Sequence, residues 1–276
     1  MLLKEVFFME TITKEDQVGN LVENKIIGSF RLINSKINFA GANNILVCDN
    51  NINFMNANLT FNGDNSLVYI CSDVGDAFRL LIYNNSTLFI GKNALFGAGV
   101  NINVNESQNV IIGDDGIVSN QVKIFSSDYC AIYDSKTKSR KNFSKGIYIG
   151  DHVWLGRYTY ISRGVNIGSG SIIGDNSFIL PNFKVSSNSL VYGNPARVVD
   201  KDVFFTKDFV AQFRPDESLN SQHYKSDVFI FKFVNKETLS IDNIDKILRD
   251  LDVESRVEFI RKLFIRNKRS NRFFIQ

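Results

Sequence analysis

The amino-acid sequence predicts an all-β chain, most of it wound as a three-sided parallel β-helix of hexapeptide repeats, with a small mixed or α-helical C-terminal extension. Three observations predict this. Aliphatic residues recur every six positions at Ile149, Leu155, Ile161, Ile167, Ile173 and Ile179. Glycine follows four of them, at Gly150, Gly156, Gly168 and Gly174. The composition, 24 Phe and many Asn against 3 Pro (Pro181, Pro195, Pro215), favours strands and tight turns. A period of six fits neither the 3.6 of a continuous helix nor the 2 of a long strand. Short straight segments joined by corners do fit it, and with three segments per coil Ile149 and Ile167 stack at the ~4.8 Å of neighbouring strands.

Along the 276 residues, 1–25 read as a lead-in. Its opening, MLLKEVFFMETITKED, lacks the cationic front and small-residue cleavage site of a secretory signal. Nowhere does an apolar run approach the ~20 residues of a membrane-spanning helix. Between 26 and 89 the clusters INF, ILV, INF, LTF, LVYI and LLIY alternate with Asn, Asp, Gly and Ser. They read as looser coils with larger side chains inside, or alternatively as a plain antiparallel β domain. The six-residue beat is clear in Ile90, Phe96 and Ile102, and again, after a four-residue offset, in Ile112, Val118 and Ile124. Past Ile149 a second inward set, Val153, Thr159, Val165, Ser171 and Ser177, follows the aliphatic residues by four positions. Trp154, between two inward positions, must therefore face out. The β-helix is bounded at 26–199.

Between Ile124 and Ile149 the period fails, and the polar stretch 125–148 reads as a loop extruded from a corner, where solenoids commonly carry binding faces. SSDYCAIYD within it, then GIYIGDHVWLG, ISRGVNIGSGSIIG and VYGNPARVV, resemble in that order the hexapeptide-repeat O-acetyltransferases that modify bacterial capsule and lipopolysaccharide sugars. The resemblance covers about residues 85–200. It implies a left-handed coil, a homotrimer with acetyl-CoA along the groove between adjacent subunits, and direct transfer to a sugar hydroxyl. The chain departs from the family at one place. There the loop reads S-x-D-x-H, with the histidine as general base, whereas here Ser126, Ser127, Asp128 and Tyr129 lead to Cys130.

A base with pKa near the working pH is worth roughly 10²–10⁴-fold in deprotonating a hydroxyl. A thiol of pKa about 8.5 serves that role poorly, but its thiolate attacks carbonyl carbon well. Cys130, with Asp128 beside it, therefore reads either as an acyl carrier or as the mark of slowed or lost catalysis. His152, in GDHVWLG, is expected to turn outward near the groove, as a substitute base or as an ordinary surface residue. His223 reads as a solvated loop residue.

For the donor, the resemblance places Trp154 at the acetyl end of the site, beside Gly156 and Arg157; packing between subunits is the alternative. CoA phosphates suit guanidinium partners. The family has basic residues at positions matching Arg163 and Arg197, with Asn194 and Pro195 shaping the closing turn; either arginine equally reads as a surface cation.

In the extension, 200–276, KSDVFIFKFVN reads as a short strand. Ile241, Ile244, Ile247, Leu248 and Leu251 share a helical face continued by Val257, Ile260 and Phe264, and these helices are expected to pack against the assembly. The last segment interleaves Arg261, Lys262, Arg266, Lys268, Arg269 and Arg272 with Phe264, Phe273 and Phe274. It reads as a basic amphipathic tail for peripheral membrane contact, as an attractor of acidic polysaccharide, or as a solvated end.

A net charge of +3 gives the whole chain no nucleic-acid footprint. Cys48, Cys71 and Cys130 show neither a disulfide framework nor zinc spacing and fit a reducing cytoplasm, so the expected place is cytoplasmic, with at most peripheral contact at the inner membrane face. Two histidines cannot supply a three-histidine zinc site, and no metal is expected. The function the resemblance implies is acetyl-CoA-dependent O-acetyl transfer to a surface polysaccharide or its sugar precursor. Two alternatives stand beside it: a weakened or inactive scaffold or glycan-binding component, and N-acetylation of an amino sugar, which needs less help from a base.

Overall fold

Every aliphatic residue of the downstream period, from Ile149 to Ile179, is at most 1% exposed, and Val153, Thr159, Val165, Ser171 and Ser177 are equally buried. The structure, a computed structural model that describes residues 9–267 and 269–276, thus puts two residues of each hexad inside a prism. Its three walls are parallel sheets wound as a left-handed β-helix. Face A includes Asn101–Val104, Lys123–Phe125 and Tyr160–Ile161. Face B includes Asn109–Ile112, Ile147–Ile149 and Asn166–Ile167, and face C Ile117–Val118, Trp154–Leu155 and Ile172–Ile173.

Downstream, each coil takes 18 residues: Tyr148 lies beside Asn166, and Asn166 beside Lys184. Upstream the coils are longer, with Leu67 beside Thr87 and Thr87 beside Asn109. Four-residue strands there hold larger contents, such as Phe39 stacked on Phe61 at 4.6 Å. All strand pairings from Lys25 to Ile90 are parallel except that of Glu10–Ile12 with Lys36–Phe39, so the antiparallel alternative for 26–89 does not form. Corners turn on residues with positive φ, often Asn, as at Asn93, Asn176 and Asn182. Glycine after the inner aliphatic residue has a steric reason: a Cβ on Gly156 would lie 2.5 Å from the Asp175 amide of the next coil.

The extension packs on the outside of face B. There Tyr69, Phe89, Ile111 and Tyr148 meet Ile244 and Leu248 of helix α2 (Ile241–Asp250) and Val257 and Ile260 of helix α3 (Val253–Ile260), forming a second core. The helices start where Ser240 and Asp252 cap the amides of Asn243 and Ser255. Tyr148 donates to Asp245 Oδ1 at 2.7 Å and so ties α2 to the wall.

Two sequence expectations are corrected here. KSDVFIFKFVN is irregular rather than a strand: Phe231 N–H donates to Asn188 Oδ1 and Asn188 Nδ2 donates to Phe231 O, so a corner side chain takes the backbone groups a neighbouring strand would have used. The basic tail is not a free amphipathic helix. Phe264 and Phe273 lie in the second core, and Arg272, 3% exposed at its side chain, is paired with Asp114 and Asp151. Its apolar side is thereby used inside the protein; Lys268 lies outside the described residues. Among the described residues no helix is long and apolar enough to cross a membrane.

Candidate active site in two halves

The extruded loop leaves face A after Lys123–Phe125 and re-enters at Ile147–Ile149, so it stands on the edge between faces A and B. Its root is fixed by Ser126, whose Oγ accepts from Asn105 N at 2.8 Å, and by Ser127, whose Oγ accepts from Asn105 Nδ2. Asp128 Oδ2 accepts from Arg163 Nε at 2.8 Å and from Asn142 Nδ2 at 3.1 Å. Asn142 Nδ2 also reaches Cys130 O at 2.8 Å. One carboxamide therefore pins both residues of the Asp-x-Cys segment. Tyr129, between them, sits at φ 62, an uncommon conformation for an aromatic residue, and its hydroxyl accepts from Asn103.

A second clamp crosses the loop. Arg140 binds Glu106 with both terminal nitrogens, at 2.5 and 2.8 Å, and Ser144 N donates to the same carboxylate. These bonds, Arg140 first, hold the Glu106 carboxyl down at about 2. Because the folded pKa is lowered, the clamp's contribution is complete above the ordinary glutamate range and is lost as pH falls from about 4.5 toward 2. Limited proteolysis of the loop at stepped pH is expected to show protection at pH 6 and cutting below pH 3. Equal cutting at both would refute the clamp.

Against the loop lies a recess of about 470 Å³, bordered by Tyr83, Asn84, Asn105, Ser127, Cys130 and Arg140. The Cys130 thiol is exposed, whereas Cys48 and Cys71 are buried.

The predicted donor residues do not gather there. Trp154 is on face C, 39% exposed, its indole N–H donating to Ser119 Oγ at 3.2 Å. It shares a recess of about 600 Å³ with Gly156, Arg157, Ile172, Tyr192 and Phe209. Arg157 binds Asp175 through Nε and the neighbouring nitrogen. Asn194 and Pro195, joined by a cis bond, form the tip of the hairpin Ser189–Gly193/Ala196–Lys201, and exposed Arg197 follows on its outer strand. Arg163 instead stands on the loop's edge with its guanidinium only 13% exposed and paired with Asp128. Within one chain the two predicted phosphate ligands thus belong to different edges of the prism.

His152 is corrected outright. It occupies the corner between faces B and C at φ 52, 2% exposed, with its ring stacked between Phe205 and Phe229 at 4.0 and 4.2 Å. Nε2 lies 2.9 Å from the Phe205 carbonyl, an acceptor only, so Nε2 carries the proton. Burial lowers its pKa and keeps the ring neutral. The rings that cover it come from the extension, far along the chain, which is why the hexad pattern alone put it outside. His223 is exposed in the turn after helix α1 (Pro215–Asn220).

Asn105, Glu106, Arg140 and Asn142 were missed by the sequence reading. The four-residue offset between Ile102 and Ile112 was the signal for the first two, since the outgrown corner it marks is where the loop rests. Among the described residues no three His, Cys, Asp or Glu side chains converge as a metal site.

Residues 146–181 match the family described as bacterial transferase hexapeptide (six repeats). The chain is 28% identical over 124 residues to a polysialic acid O-acetyltransferase of Neisseria meningitidis, covering 45% of this chain and 57% of that protein. It is 35% identical over 139 residues to one from Escherichia coli O1:K1 / APEC, covering 50% and 44%. The chain thus spans about half the length of these two curated relatives. The crystal structure of the polySia-specific acetyltransferase NeuO superposes with a TM-score of 0.62 at 30% identity, over 72% of this chain and 93% of that one.

Proposed function

Since this chain belongs to the hexapeptide-repeat O-acetyltransferase family, we propose that it transfers an acetyl group from acetyl-CoA to a hydroxyl of a bacterial surface polysaccharide. An acidic glycan of the polysialic type is the first acceptor to try. The observation that carries this reading is the loop itself. It is an insertion in a regular solenoid, it is held by two clamps, and it presents a thiol beside a polar recess.

The other half of the site, the Trp154 recess, is on face C of the same chain. Face B is covered by α2 and α3, which leaves faces A and C for contact between copies. A head-to-tail contact of unlike faces closes into a ring when the rotation permits. We therefore read the protein as a homotrimer in which the loop of one copy meets the Trp154 face of the next and CoA lies between them. The reaction belongs in the cytoplasm, where acetyl-CoA is made and three unpaired cysteines stay reduced. Exposed Lys262 and Arg266 support one of the three readings of the tail, electrostatic attraction of an acidic glycan.

Mixing the protein with acetyl-CoA and oligosialic acid, and following CoA release together with O-acetyl signals in the glycan, tests this. A folded protein that neither binds acetyl-CoA nor releases CoA removes the reading. Binding of glycan without turnover supports the second reading, a glycan-binding β-helix, which the lack of any imidazole in the loop favours. Trp154→Ala is expected to weaken acetyl-CoA binding roughly tenfold without unfolding the chain. Should the indole serve only to pack copies together, the variant will elute as monomer, and its CoA affinity will return at protein concentrations that restore the trimer.

A further inference from the structure

A transferase needs something to receive the acetyl group or to strip the acceptor hydroxyl, and the extruded loop holds no histidine for either. His152 is sealed between two phenyl rings in every copy, and His223 lies in a turn of the extension. What the loop offers is Cys130. Its backbone is held on both sides, its N–H donating to Asp128 O at 2.7 Å and its carbonyl accepting from Asn142, while its exposed side chain borders the recess.

The recess wall supplies an independent observation. Asn105 is 9% exposed, and with Nδ2 given to Ser127 its Oδ1 has no partner. Arg140 Nε, whose companions bind Glu106, is likewise without an acceptor. Buried polar atoms are normally paired, so a bare acceptor and a bare donor in one wall ask for a ligand that has both functions. A hydroxyl attacking an acyl carbonyl is such a ligand: its O–H needs an acceptor, and the carbonyl oxygen needs a donor as charge builds on it.

We propose that Cys130 carries the acetyl group as a thioester in a two-step transfer, and that the recess bordered by Asn105 and Arg140 receives the acceptor hydroxyl. The proposal rests on the acetyl-CoA-dependent reading above. In the first step the Cys130 sulfur attacks the donor carbonyl carbon; the new S–C bond replaces the one to CoA, and CoA departs with the proton that the Cys130 thiol gives up. One thioester is exchanged for another, so no co-reactant is needed. In the second step the glycan oxygen attacks the Cys130-bound carbonyl, the O–C bond forms as the S–C bond breaks, and the hydroxyl proton returns to the Cys130 sulfur. Asn105 Oδ1 accepts from the incoming hydroxyl, and Arg140 Nε–H faces the carbonyl oxygen.

The protein is incubated with acetyl-CoA alone, quenched in acid and measured by intact mass and peptide mapping. One hydroxylamine-labile acetyl group per subunit on Cys130 is expected, with a matching burst of CoA and discharge on adding oligosialic acid. Double-reciprocal plots should be parallel. Cys130→Ala should abolish the adduct and lower turnover by roughly 10³-fold or more while circular dichroism is unchanged. Asn105→Ala should slow discharge, so that acetylated Cys130 accumulates during turnover. Turnover with Cys130 never modified, or a Cys130→Ala protein that turns over as fast as the parent, overturns the relay and leaves the acetyltransferase reading standing. Failure of the folded protein to bind acetyl-CoA at all overturns both.

Discussion

Replacing Arg272 by Met should destabilise the fold by about 3–5 kcal/mol, the range seen when one partner of a buried ion pair is removed. Its guanidinium lies 2.7 and 2.8 Å from Asp151 and 2.8 Å from Asp114, and donates also to Phe264 O at 2.9 Å. Without it, two carboxylates on adjacent corners face each other, that of Asp151 buried and that of Asp114 partly exposed. The urea midpoint is the measurement, and a midpoint equal to the parent's would show that the pairing contributes nothing. The pH dependence follows from Asp151, whose carboxyl burial pushes up despite Arg272. A group with a raised folded pKa favours the fold at low pH and loses that contribution as pH rises through the folded value. The deficit of Arg272→Met should therefore be smaller at pH 4 than at pH 7. Adding Asp114→Asn and Asp151→Asn to Arg272→Met should recover part of the loss, because neutral amides cost less to bury than unpaired charges.

Arg163→Ala should lower the turnover of the proposed acetyl transfer by about 10²-fold, the scale on which a small misplacement of a reacting group is felt. Arg163 Nε is the partner of Asp128, and Asp128 shares Asn142 with Cys130, so the substitution frees the segment that presents the thiol. The same experiment separates two roles for this arginine. A phosphate ligand would show itself as weaker acetyl-CoA binding with turnover preserved, whereas a loop anchor lowers turnover at an unchanged dissociation constant. Arg197, exposed on the closing hairpin, is the contrasting case: Arg197→Ala is expected to act on donor affinity.

The prism was legible because its determinants are local. Ile167 needs only Ile149 on one side and Val185 on the other, at fixed spacing, to stack, and a repeat of six announces that spacing directly. Even the loop's position followed from where the beat stops. The remainder depended on contacts distant in sequence. Arg272 reads as a surface cation until Asp151, 121 residues earlier, is brought to it. His152 reads as outward until Phe205 and Phe229 are laid on its two faces. Phe231 reads as part of a strand because alternating aromatic residues resemble one, but its backbone found an asparagine corner first. At the candidate site the motif residues Asp128 and Cys130 could be named through the family resemblance that the ordered motifs carry. Asn105, Glu106 and Arg140 could not: the four-residue offset after Ile102 marks the outgrown corner, but not which of its side chains meet a loop whose path no period describes.

The strands at the two ends of the solenoid run against the grain. Glu10–Ile12 lies antiparallel on the first rung of face A, and Ala196–Lys201 lies antiparallel on the last rung of face C. An open parallel ladder is a template on which another chain's rungs can continue, the route by which stacked β structures grow into fibres. Here an arriving copy would find, on each of those sheets, a strand of reversed polarity that offers no register for its own coils. These short segments stop one end of face A and one end of face C, whereas face B ends, among the described residues, on the parallel rungs Lys25–Ile33 and Lys184–Val185.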